Sequence, residues 1–122
     1  MTGPQVLPAF LEQGDGATAV FLLHGVGGGK LAWRDNLAAI AAAGYRAIAW
    51  DMPGYGSSPA ITPCTTAALA DALRALILHA DARRNVVLGH SMGGMVAQEL
   101  VALDAGLVQG LILSGTSPAF GR

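Results

Sequence analysis

The sequence predicts an α/β protein: a three-layer, mostly parallel sheet with helices on both faces. Three observations carry this expectation. Short apolar runs rich in β-branched and aromatic residues recur along the chain, as strands covered on both faces do. Between them lie helix-length segments with apolar residues three and four apart. Loops dense in Gly, Pro and Ser follow several of the runs. Strands separated by single helices imply right-handed crossovers and parallel pairing.

Taken in order, "AFLEQG" (Ala9–Gly14) is a short first strand stopped by Gly14, Asp15 and Gly16. "TAVFLL" (Thr18–Leu23) reads as a buried strand, and "HGVGGG" (His24–Gly29) as a glycine-rich loop. "WRDNLAAIAAAG" (Trp33–Gly44) is a helix with Leu37, Ile40 and Ala41 on one face and Gly44 as its stop. "YRAIAWD" (Tyr45–Asp51) is the next strand, followed by the loop "MPGYGSSPAITPCTT". Thr65 or Thr66 caps a helix running to Ala80, whose apolar face is Leu69, Leu73, Leu76 and Ile77. "NVVLG" is a strand, Gly93–Leu103 a helix ending near Gly106, and "GLILSG" (Gly110–Gly115) the last strand.

The chain has 122 residues and a formal net charge of -1, with no basic run pointing to nucleic acid or an anionic membrane. Its 12% charged residues are about half the ~25% of an ordinary soluble domain, and 52% are hydrophobic. No apolar run approaches the ~20 residues of a membrane helix. "MTGPQVLPAFLEQG" lacks the basic and apolar regions of a signal peptide. The lone Cys64 cannot form an intrachain disulfide, which fits a cytoplasmic location and reads as an inert thiol. So apolar a composition is expected of the interior part of something larger, with 1–122 a single partial domain.

The chemistry concentrates in "NVVLGHSMGGMVAQEL". Gly89-His90-Ser91-Met92-Gly93 is a G-x-S-x-G turn, which lifts a serine above the strand ends and holds its backbone in a strained region. Gly89 and Gly93 flank it because side chains there would collide as strand and helix cross. The helix that follows aims its N–H groups and positive dipole end at the same point, where an oxyanion would form. Met92 N–H is the natural first donor. A second comes from the loop His24-Gly25-Val26-Gly27, with Val26 N–H the expected donor and Gly27 the alternative. His24, Gly25, Gly89 and Gly93 are read as support for these loops. "HGVGGGK" has neither P-loop nor dinucleotide spacing. The Met92 and Met95 side chains are candidates to line an acyl pocket, with plain packing the alternative for Met95. Three scattered histidines and one cysteine make no ligand set, so no cofactor or metal is expected.

"FLLHGVGGG", "AWDMPGYGSS", "NVVLGHSMGGMVAQEL" and "LILSGTSPAFG" together resemble the N-terminal half of an α/β-hydrolase, in that superfamily's order and spacing. The tail "SGTSPAFG" also resembles, more faintly, the cap entry of enol-lactonase-like and carbon–carbon-bond hydrolase members. The resemblance implies Ser91 as nucleophile, with Met92 and the His24–Gly27 loop as oxyanion hole and Asp51 and Gly54 as structural residues. It implies a partial fold truncated after the strand that follows the nucleophile helix, without the cap.

The superfamily's order is Ser, then Asp or Glu, then His. After Ser91 come only Glu99 and Asp104, and no histidine. Asp104 falls ~20 Å along the helix at 1.5 Å per residue. His24 belongs to the loop, His90 is aimed away by its place next to Ser91, and His79 ends a helix on the far side of the sheet. A serine without a base is a weak nucleophile. The expected function is therefore a serine hydrolase chain for a small ester, lactone or related acyl bond, weak or inactive alone. The alternatives are a non-catalytic binding module, or a truncated product needing a complementary chain. The last strand would be an apolar edge open to such a chain or to self-association.

Overall fold

The computed structural model describes residues 7–25, 27–56, 58, 60 and 64–116. Five strands form one sheet in the order β1-β3-β2-β4-β5. They are β1 (Phe10–Gln13), β2 (Thr18–Leu23), β3 (Arg46–Trp50), β4 (Arg84–His90) and β5 (Gly110–Ser114). β1 pairs antiparallel with β3, and every other pairing is parallel. The expected helices are α1 (Arg34–Ala42), α2 (Thr66–Ala80) and α3 (Met92–Leu103).

Strand alternation sorts the layers. Ala19, Phe21 and Leu23 of β2 join Ile48, Trp50 and Val87 in a core covered by α2 and α3. Val20 and Leu22 face the other way, with Ala47 and Ala49, onto Leu37 of α1. Both faces of the central strands are thus covered, which is why they read as continuous apolar runs rather than alternating ones. The expected apolar face of α2 is buried in full: Leu69, Leu73, Leu76 and Ile77.

Helix ends follow the local chemistry. The Thr65 hydroxyl accepts from Ala68 N–H at 3.0 Å and caps α2. Thr65→Ala should cost about 1 kcal/mol in urea denaturation, whereas Thr65→Ser should stay close to the parent. Gly44, at φ 96, follows α1 in the left-handed region a stop requires. The α1 helix begins one residue later than expected, because Lys30–Trp33 form a separate 3-10 turn.

β5 lies at the edge of the sheet. Leu111, Ile112 and Leu113 remain 37%, 51% and 42% exposed, so apolar side chains on both of its faces are only partly covered among the described residues. No helix among the described residues is long and apolar enough to cross a membrane.

Candidate active site

β4 runs out of the sheet at His90, and α3 starts at Met92, so the whole reversal falls on Ser91. Ser91 pays for this with φ 56 and ψ −119, a conformation that costs a non-glycine residue about 1–3 kcal/mol. The reversal is this tight because β4 and α3 cross almost in contact. A Cβ on Gly89 would lie 2.4 Å from Gly94 Cα, and one on Gly93 would lie 2.4 Å from the Leu23 carbonyl oxygen. Neither position has room for a side chain.

The strained residue is held from several sides. Ser91 N–H donates to Ser114 O at 2.9 Å, tying the turn to the end of β5. Ser91 O accepts from Gly94 N–H at 3.0 Å and from the Thr116 hydroxyl at 2.7 Å. The Ser91 side chain makes no cap bond to its own helix. The first N–H groups of α3 have no partner within the helix and point out of its N-terminus, toward the serine.

The loop after β2 comes to meet it. A Cβ on Gly25 would sit 2.9 Å from Ser91 Cβ, so only glycine lets the two loops approach this closely. Gly28 N–H donates to Gly25 O at 3.0 Å and closes a tight turn, with Gly27 at φ 82. Val26, the expected second donor, lies outside the described residues. A cavity of about 600 Å³ opens between the loops. Its walls include Gly25, Gly27, Trp33, Asn36, His90 and Ser91. Trp33 and Asn36 carried no signal of this role in the sequence, since a 3-10 turn and a helix start had to be folded back over the loop first. Met92 and Met95 are not among the lining residues. Met95 is buried, as its packing alternative expected, and Met92 also packs against the core.

The histidines separate clearly. His24 is buried, and its Nε2 accepts from Met52 N–H at 2.9 Å. The proton then sits on Nδ1, which donates to Gly25 O at 2.8 Å. The ring thus joins β2's loop to the one after β3, and Tyr55 packs edge-on against it at 5.1 Å. His90 is exposed, with Nδ1 3.2 Å from Ser114 Oγ. His79 lies in the last turn of α2 against Phe10. Arg46, at the start of β3, donates to Ala80 O, so α2 ends at the opposite end of the sheet from Ser91. Asp104 pairs with Arg74 at 3.0 Å on the outside of the helices.

Asp51 is buried and binds the loop beside the cavity through both oxygens. Oδ1 accepts from Lys30 N–H at 2.8 Å, and Oδ2 meets Lys30 Nζ at 2.5 Å. A Cβ on Gly56 would fall 2.4 Å from Oδ2, so the turn after β3 is also built around this carboxylate. The sequence marked Asp51 as structural but missed Lys30. A lysine closing a glycine run was the available signal. Among the described residues no group of three or more His, Cys, Asp or Glu could hold a metal ion.

The profile described as "alpha/beta hydrolase fold" matches residues 18–121. The chain is 37% identical over 112 residues to the dihydrolipoyllysine-residue acetyltransferase component of the acetoin cleaving system of Pseudomonas putida, covering 91% of this chain and 30% of that protein. It is 34% identical over 109 residues to a 2-hydroxy-6-oxononadienedioate/2-hydroxy-6-oxononatrienedioate hydrolase of Cupriavidus pinatubonensis, covering 85% and 38%. An esterase from Exiguobacterium antarcticum superimposes with a TM-score of 0.81 at 29% identity, covering 89% of this chain and 41% of that one. The chain therefore spans well under half the length of these proteins.

Proposed function

Because the chain belongs to the alpha/beta hydrolase fold family, we propose that it carries the nucleophile and oxyanion hole of a serine hydrolase acting on a small ester, lactone or related acyl bond. The observation that carries this reading is Ser91 at φ 56, held between β4 and the N-terminus of α3 and facing the Gly25–Gly28 turn across one cavity. The hydrolase-named relative and the esterase neighbour support the reaction class.

In this reading Ser91 Oγ attacks the acyl carbon, and the carbonyl electrons move onto oxygen. Met92 N–H and an N–H of Val26 or Gly27 receive the developing charge, a contribution that costs 10²–10³-fold or about 2.7–4 kcal/mol when one donor is lost. Collapse expels the alcohol oxygen, which takes up the serine proton, and water then releases the acyl group. A base must carry that proton. His24 is engaged at both ring nitrogens, His79 sits at the other end of the sheet, and His90 is turned to Ser114. We therefore assign the base, and the acid that orients it, to residues other than these 122. The exposed edge of β5 supports a further strand adding there, from a complementary chain or a second copy.

Treatment of the 122-residue chain with an alkyl fluorophosphonate should label Ser91 slowly, and Ser91→Ala should remove the label. Hydrolysis of a short-chain aryl ester should be low, within the ~10³–10⁴-fold over water that an oxyanion hole and binding alone provide. Brisk, Ser91-dependent turnover would refute the assignment of the base elsewhere. A folded chain that the probe leaves unlabelled at Ser91, yet that binds a small ligand equally well as Ser91→Ala, would replace the hydrolase reading with a binding one.

A further inference from the structure

We infer that Thr116 is a positioning residue for the oxyanion hole, acting through the peptide group that joins Ser91 to Met92; the inference rests on Met92 N–H being an oxyanion donor. The Thr116 hydroxyl donates to Ser91 O at 2.7 Å. That carbonyl belongs to the same planar unit as Met92 N–H. In a trans peptide the C=O and N–H point in opposite directions and turn together. Ser91 O points down α3, where Gly94 N–H donates to it at 3.0 Å, so Met92 N–H points back out of the helix start.

Thr116 does two things to this unit. It adds a second donor to Ser91 O and so fixes the plane of a peptide next to a strained residue. A bond to the carbonyl also draws charge through the amide and makes the N–H at its other end a stronger donor, as in any hydrogen-bonded chain. The contact is built in and leaves no slack. A Cβ on Gly94 would lie 2.6 Å from Thr116 Cγ2 and 2.7 Å from its Oγ1, so only glycine at that turn of α3 lets the hydroxyl reach Ser91 O. Ser91 N–H is meanwhile bound to Ser114 O, two residues before Thr116. The end of β5 and the residues just after it therefore grip both sides of Ser91: its own N–H through Ser114, the last residue of β5, and its carbonyl through Thr116, two residues further on.

The test uses the 122-residue chain with Thr116→Val, which keeps the side-chain shape, and Thr116→Ser, which keeps the hydroxyl. In a ¹⁵N-labelled sample the Met92 amide proton resonance should move upfield in Thr116→Val and return in Thr116→Ser. Labelling of Ser91 by the fluorophosphonate should slow about 3- to 10-fold in Thr116→Val, the worth of one neutral hydrogen bond, and recover in Thr116→Ser. Should Thr116→Val fail to fold, Thr116→Ser against Thr116→Ala makes the same comparison without the added methyl. A Met92 resonance that stays in place without the hydroxyl, or labelling at the parent rate, overturns the inference. If the parent chain is not labelled at all, the nucleophile reading of Ser91 fails, and the Met92 resonance still decides the role of Thr116.

Discussion

Gly93→Ala is expected to destabilise the chain by about 3 kcal/mol or more, at the upper end of what overpacking costs. The added Cβ would stand 2.4 Å from the Leu23 carbonyl oxygen and 2.7 Å from that of His24. Both are backbone atoms, one of the last residue of β2 and one of the residue after it, so no side chain can swing aside. Relief requires α3 to lift off β2. That motion would also separate Ser91 from Gly25, so fluorophosphonate labelling should fall together with stability. Gly106→Ala is the matched control, because a Cβ there meets nothing within 4 Å. Urea denaturation of the two variants reads the difference directly. Gly93→Ala within about 0.5 kcal/mol of the parent, the range of a neutral surface change, would mean that the crossing of β2 and α3 is looser than these distances imply.

Lys30→Met is expected to cost about 3 kcal/mol, the lower bound for breaking a buried ion pair. Asp51 is 3% exposed at its side chain and Lys30 17%, so loss of the ammonium removes the counter-charge from a carboxylate in the interior rather than at the surface. The cost stays at the lower bound because Lys30 N–H continues to hold Oδ1. The double variant Lys30→Met/Asp51→Asn removes the charge itself and should recover part of the loss. A double-mutant comparison by denaturation isolates that term. Lys30→Met as stable as the parent, or the double variant weaker than the single one, would show that the pair is a solvated contact. The consequence for the site is geometric: the same carboxylate fixes the segment that follows Gly27 and Gly28, both of which line the cavity.

Much of this was legible in the residues. The three central strands β2, β3 and β4 showed themselves as apolar runs because they are covered on both faces, and Thr65 and Gly44 because helix ends need a side-chain acceptor and a left-handed residue. The elbow at Gly89–Gly93 was legible because only glycine fits where an added Cβ would fall 2.4 Å from a backbone atom. Lys30, Trp33, Asn36 and Thr116 were not. Lysine, tryptophan, asparagine and threonine are tolerated in many places, and what distinguishes these four is which distant residue each one meets. Lys30 meets Asp51 across 21 positions, and Thr116 meets Ser91 across 25.

By itself, then, the sequence determined the layers, the position of the reversal at Ser91 and the need for glycine around it. These follow from constraints each segment carries locally: period, turn chemistry and the absence of a side chain. Only the tertiary structure decided which groups share the cavity, that both nitrogens of His24 are committed, and that Thr116, two residues beyond β5, holds the Ser91 carbonyl. Such pairings depend on the order β1-β3-β2-β4-β5. It brings the ends of β2, β4 and β5 side by side, although they lie far apart along the chain.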